Sequence, residues 1–289
     1  MKWQGGRRSG NVQDRRGMSG GQKLTLGGIG GVIVIIVGLL MGGDPGELLN
    51  QMQQGQTGAT TSPTADYEST PEEDKLLEFA DVVLASTEDV WGSIFKSQGQ
   101  QYPVTKLTVY TGTEETGGCG TGHSSFGPFY CPGDQTIYLD LSFNKELTQK
   151  YGAKGEFALA YVIAHEVGHH IQNIVGVLEK TNAMRAKMSE IEYNKISVMT
   201  ELQADFYAGV WAHHVNKTSD IELTYEDIMD GMRAAAAVGD DHLQEQAYGQ
   251  SNPETFSHGT SEQRATWFKK GYETGDINSG NTFDDPNLQ

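Results

Sequence analysis

The stretch AYVIAHEVGHH, Ala160 to His170, limits what this chain can fold into more than any other part of it. It holds H-E-x-x-H as His165, Glu166, Val167, Gly168 and His169, within a run that is apolar nearly all round: Phe157, Leu159, Val162, Ile163, Ile171, Ile174 and Val175. A helix apolar on every side is buried or spans a membrane. Buried polar groups without partners cost free energy, so such a helix needs partners for His-Glu-x-x-His-His. Residues four apart on a helix lie about 40° apart round the axis, one turn along. His165 and His169 therefore project side by side and can share one zinc ion, which favours neutral imidazole nitrogens in a tetrahedral site. Glu166 lies about 100° round from His165, where it can take a proton from a zinc-activated water without being a ligand. Gly168 removes a side chain between the histidines, leaving room for another backbone, and Gly176 is a stop for the helix. The plain alternative is a core helix that happens to carry three histidines.

Two histidines leave a catalytic zinc one protein ligand short. A third histidine in H-E-x-x-H-x-x-G-x-x-H would require Gly at Gln172 and His at Val175, so that arrangement is excluded. The better candidate is Glu201, in MTELQADFYAGVW on the next long helix, which an antiparallel return would lay over the first. Asp205 follows one turn on and can accept the second N–H of a ligand histidine, as metal-bound histidines commonly require. The alternative is a solvated acidic face, but Ala204, Phe206, Ala208, Gly209 and Trp211 make these surroundings apolar. His258, in a loop before the last helix, is open to two readings: a donor opposite Glu166 that stabilises a tetrahedral oxyanion, or a surface or capping histidine. His170 is expected to hydrogen-bond within the core, and His123, His213, His214 and His242 are taken as structural.

The chain has 289 residues and a net charge of −17. That balance disfavours a nucleic-acid partner, which needs clustered Lys and Arg. Residues 1–23 run against it, with Lys2, Arg7, Arg8, Arg15, Arg16 and Lys23 facing only Asp14. Gly- and Arg-rich and without apolar periodicity, they read as a disordered cytoplasmic tail. Residues 24–43, Leu24 to Gly43, are an uncharged run about one bilayer thick as a helix, and are expected to be a transmembrane anchor. The run is too long for the apolar part of a cleaved signal peptide, and no clear small-x-small cleavage site follows it before Asp44-Pro45. The positive flank should stay in the cytoplasm, making this a single-pass inner-membrane protein with its domain on the periplasmic or extracellular side. Residues 44–70, rich in Gln, Gly, Thr and Ser, read as a flexible linker.

A domain over residues 71–275 should follow, then a disordered tail over 276–289. Its first helix is announced by Thr70, Pro71 and Glu73, a capping box with proline at the first position. Leu107–Tyr110 and Gln135–Leu141 alternate as strands, the second being an edge along which an extended peptide could pair. Asp134 and Asp140 hint weakly at cationic or neutral substrates. Helical patterns cover Thr181 to about Val215, with a break near Asn194, then Ile228–Val238 and His242–Tyr248. A last helix is capped by Thr260 and Gln263 and ends near Gly275. Cys119 and Cys131 could join His123 on a second metal, but that ligand set is incomplete and irregularly spaced. A disulfide is simpler and suits a domain outside the cytoplasm.

AYVIAHEVGHHIQNIVG followed by ELQADFYAGVWA resembles the bacterial membrane-anchored neutral zinc metallopeptidase family. GPFYCPGDQTIYLDLSF, the GDD at Gly239 to Asp241 and SHGTSEQRATWFKKGYETGD resemble it too. The likeness runs from about Pro71 to Gly275, with the basic segment and apolar run ahead of it. It implies a zincin-like domain with His165, His169 and Glu201 on zinc, a gluzincin-like set, and Glu166 as base. Phe206 stands where the family pattern often has Cys, outside the ligand set. The expectation is thus an α+β, mainly helical domain with a small sheet, hydrolysing peptide bonds of peptide or protein substrates with one zinc ion. Two rivals remain: a non-catalytic scaffold or binding protein, against which the intact Glu166 argues, and a zinc hydrolase of a non-peptide amide such as a cell-wall component.

Overall fold

Among the described residues, four helices begin with one device, a hydroxyl and a side-chain acceptor three residues apart that satisfy each other's backbone N–H. Thr70 with Glu73 opens α1 (Pro71–Ser97), and Thr260 with Gln263 opens α8 (Ser261–Thr274), both as expected. Ser189 with Glu192 opens α5 (Glu190–Thr218), and Thr224 with Asp227 opens α6 (Tyr225–Ala237). The computed structural model describes residues 1–18, 67–149, 152–153 and 156–288. Between these helices lie α2 (Phe143–Gln149), α3 (Glu156–Ile174), α4 (Val177–Arg185) and α7 (Asp240–Tyr248). The break in the long helical pattern falls between Arg185 and the cap at Ser189, ahead of Asn194. Gly176 ends the α3 turn in the left-handed conformation, at φ 77°.

The helix α3 is the centre of the molecule. Every residue from Phe157 to Gly168 is buried, as are His170, Ile171 and Gln172. It packs against α1, α5, α6 and the short strand Phe129–Cys131. Phe157 stacks on Trp211 of α5, ring centroids 5.9 Å apart, and Tyr161 meets Phe268 of α8 edge-on. The expected approach of a backbone at Gly168 is present: a Cβ there would lie 2.8 Å from the Ala204 carbonyl oxygen. α3 and α5 therefore cross at contact distance where both carry polar side chains. The architecture is mainly helical α+β with a small sheet.

That sheet has the order β1 (Val12–Asp14), β2 (Lys106–Tyr110), β6 (Thr136–Asp140), β5 (Phe129–Cys131). β1, β2 and β6 are parallel and β5 is antiparallel to β6. A separate hairpin joins β3 (Thr113–Glu115) to β4 (Thr121–His123). The expectation that Thr136–Leu141 is an edge is wrong, since β6 is bonded on both sides, and β5 is the end strand beside α3. Alternation in β6 could not reveal this, because both neighbours, β2 and β5, are set by pairing between separate segments of the chain. The two acids there are engaged by neighbouring donors. Asp140 accepts from Gly112 N and Ser142 N, and Asp134 from Tyr138 OH, Thr136 N and Gly117 N. Cys119 and Cys131 form a disulfide, tying the hairpin loop to β5.

Two segments expected to be disordered are folded. Residues 1–18 contribute β1 and bury Trp3 to 3% exposure. Residues 276–288 form two 3-10 turns, with Thr282 fully buried and its hydroxyl donating to the Met199 carbonyl. Their Asn and Asp side chains cap these turns: Asp276 accepts from Asn278 N and Asn281 from Phe283 N. Polar composition signalled disorder, but here it supplies the turn bonds. Among the described residues no helix is long and apolar enough to cross a membrane. The run Leu24–Gly43 and most of the expected linker lie outside the described residues.

Candidate metal centre

Helix spacing brings His165 and His169 onto one side of α3, and the antiparallel crossing of α5 sets Glu201 against both. Glu201 Oε2 lies 3.1 Å from His165 Nε2, and Oε1 lies 3.4 Å from His169 Nε2. One donor atom from each of the three residues falls within 4.8 Å of the other two. Ligands held at zinc–nitrogen and zinc–oxygen distances with tetrahedral angles stand about 3.3–3.6 Å apart. The donor chemistry and spacing therefore fit zinc. The three side chains retain 8–17% exposure, so the cluster opens to the surface rather than being sealed.

Each histidine is fixed through its other nitrogen. His165 Nδ1 lies 2.8 Å from Asp205 Oδ1, as the one-turn offset from Glu201 predicts. His169 Nδ1 lies 2.8 Å from Gln172 Oε1, whose own amide donates to the Thr200 carbonyl and to Gln203. With Nδ1 donating in both rings, each Nε2 turns its lone pair towards the shared centre. Gln172, the residue that excluded a third histidine ligand, is thus the orienting partner of the second one. Burial works against charge on His165, yet Asp205 and Glu201 raise its pKa to about 10. Burial likewise opposes ionisation of Glu201, which His169 and His165 outweigh, holding it well below its ordinary value.

Glu166 is 7% exposed and follows His165 on the same helix. Burial raises its pKa, with His169 and His165 pulling the other way. His170, by contrast, is spent in the core as expected. Its Nε2 donates to the Pro103 carbonyl at 2.6 Å, leaving Nδ1 to accept from Tyr130 OH at 2.9 Å, and burial lowers its pKa.

His258 reaches the site from the loop before α8. Asp240, at the start of α7 and 3% exposed, gathers that loop. Its Oδ2 accepts the backbone N–H groups of Ser257, His258 and Gly259 at 2.8, 2.6 and 3.0 Å, and its Oδ1 lies 3.1 Å from His258 Nδ1. Gly259, at φ +94°, lets the loop settle over the turn that carries Glu201. A Cβ there would meet Val198 and Leu202 side chains at 3.2 and 3.3 Å. Burial opposes charge on His258, while Asp240 and the nearby Glu201 raise its pKa. Its 37% side-chain exposure leaves the imidazole open to solvent on the free side.

Arg264 was not anticipated. Its guanidinium grips Asp205 with two N–H groups, Nε to Oδ2 at 2.8 Å and Nη2 to Oδ1 at 3.0 Å, and reaches Tyr161 OH and the Val238 carbonyl. Tyr161 OH donates to the same carboxylate. Arg264 precedes Trp267, Phe268 and Gly271 by three, four and seven residues, and so lies on the buried stripe of α8. A lone cation on an apolar stripe was the available signal.

A family model described as "Putative neutral zinc metallopeptidase" matches residues 1–283. The uncharacterized protein YpfJ of Escherichia coli (strain K12) is 44% identical over 293 residues, covering 98% of this chain and 99% of that protein. An uncharacterized protein of Mycobacterium tuberculosis (strain H37Rv) is 39% identical over 254 residues, covering 85% and 84% respectively. No solved structure matches the chain.

Proposed function

This chain belongs to the neutral zinc metallopeptidase family, and from that premise we propose that it hydrolyses peptide bonds at the centre formed by His165, His169 and Glu201. The observation that carries the reading is the convergence of three oriented ligands beside a buried, non-ligand glutamate. Zinc held there would polarise the scissile carbonyl and acidify a water molecule. Glu166 accepts the proton of that water and returns it to the leaving amine. Asp205 and Gln172 hold the two imidazoles in the tautomer that leaves Nε2 free for the ion. His258, protonated and oriented by Asp240, donates to the developing oxyanion. We take the domain to work outside the cytoplasm, where a disulfide such as Cys119–Cys131 persists, with residues 24–43 as its means of membrane attachment.

The test is zinc analysis of the purified full chain together with digestion of a peptide library. One zinc per chain and metal-dependent cleavage are expected. Glu201→Ala removes a carboxylate from both imidazoles and should lose most of the bound zinc and the cleavage with it. A Glu201→Ala protein that keeps one tightly held zinc would remove Glu201 from the site.

The role of His258 makes a separate prediction about pH. A pKa raised by Asp240 keeps the imidazolium present above its ordinary titration range, so cleavage should decline only as pH rises through the raised value. Asp240→Asn withdraws the charge and should shift that alkaline limb to lower pH, with zinc content unchanged. Identical pH profiles for the two proteins would assign His258 to structure alone.

A further inference from the structure

The first eighteen residues are built into the zinc-binding unit from several sides. Val12–Asp14 pairs with Leu107–Val109, and Arg15 N donates to the Val109 carbonyl at 2.8 Å. Lys2 and Glu222 exchange backbone hydrogen bonds of 2.9 and 3.0 Å. Trp3 meets Phe79 edge-on at 5.2 Å between centroids, and its indole N–H donates to Glu156, the first residue of α3, at 2.8 Å. The cations meet carboxylates of the folded domain: Arg7 with Glu88 and Asp89, Arg8 with Glu78, Arg15 with Glu114, Arg16 with Asp74. The match to the family model also includes this segment.

The described stretches that end at Met18 and begin at Tyr67 touch each other. A Cβ on Gly17 would lie 2.2 Å from the Cβ of Tyr67. The sequence between them contains the apolar run Leu24–Gly43. A single crossing of a bilayer separates the flanking segments by the hydrocarbon thickness, about 30 Å. Segments that pack on each other in one fold cannot be so separated. We infer that residues 1–18 and the zinc-binding domain occupy the same compartment. This replaces the single-pass arrangement with tail and domain on opposite faces. The positive surplus that favoured a cytoplasmic tail is largely neutralised by acids of the domain, mostly on α1, in the folded protein.

Impermeant-maleimide labelling of spheroplasts expressing the full chain tests this. Gln4→Cys and Lys187→Cys, made singly, put a thiol on an exposed residue of each segment. Both should be labelled to the same extent, or both protected until lysis. Labelling of one with protection of the other overturns the inference. A second variant, Lys2→Cys with Glu222→Cys, asks whether the docking exists in cells. Those positions pair directly, so a short permeable bismaleimide should close the loop in intact cells, seen as a mobility shift. A shift obtained only after detergent extraction would show that the segments meet on solubilisation, and would overturn the inference.

Discussion

Glu166→Gln should leave zinc bound and the fold intact while reducing cleavage by at least about a thousandfold, within the range contributed by a positioned general base. The substitution keeps the size of a side chain that is 7% exposed, so packing around α3 should survive. It removes a carboxylate that burial holds above its ordinary pKa, a shift that suits a group that must both take and return a proton. An amide cannot accept that proton. The ligands His165, His169 and Glu201 are untouched, so metal content separates loss of chemistry from loss of the ion. Cleavage at the unsubstituted rate by a zinc-replete Glu166→Gln protein would end the proposed mechanism.

Arg264→Met should have the largest effect on stability. Asp205 is fully buried, and Arg264 is the cation that grips it with two N–H groups. Breaking a buried pair by removing one member costs about 3–5 kcal/mol, because the remaining charge stays buried without its cation. For a protein of this size that is a fall in melting temperature of roughly 6–20 °C. Asp205 also orients His165, so zinc affinity should weaken with it. Arg264→Lys keeps the charge but loses the planar two-pronged grip and should fall between. Thermal unfolding followed by circular dichroism measures this directly. An unchanged midpoint for Arg264→Met would show that the pair contributes nothing.

Much of the site was legible because it follows rules that act over one or two helical turns. The four-residue spacing of His165 and His169 settles that they share a face, whatever surrounds them. The same spacing between Glu201 and Asp205 sends one carboxylate to both imidazoles and the other to the back of His165. Capping boxes at Thr70 and Thr260 mark helix starts because both partners lie within four residues. Gly168 was legible as a point of backbone approach, though not which backbone would arrive.

The failures share a cause, in that each depends on a surface made by residues far away in the chain. β6 alternates like an edge strand, yet β2 covers one side of it and β5 the other. The polar segments at both ends of the chain lack periodicity and were read as disorder. The first is held by acids on α1, which match its arginines, and the second by buried contacts with α5. The sequence by itself determined the helix that carries His165, Glu166 and His169 and the two acids of the return helix, because helical geometry converts spacing into direction. Only the tertiary structure decided that Gln172 orients His169, that Asp240 carries His258 to the site, that Arg264 balances Asp205, and that the N-terminus closes the sheet. Those partnerships arise from which surfaces meet, and no local period encodes that meeting.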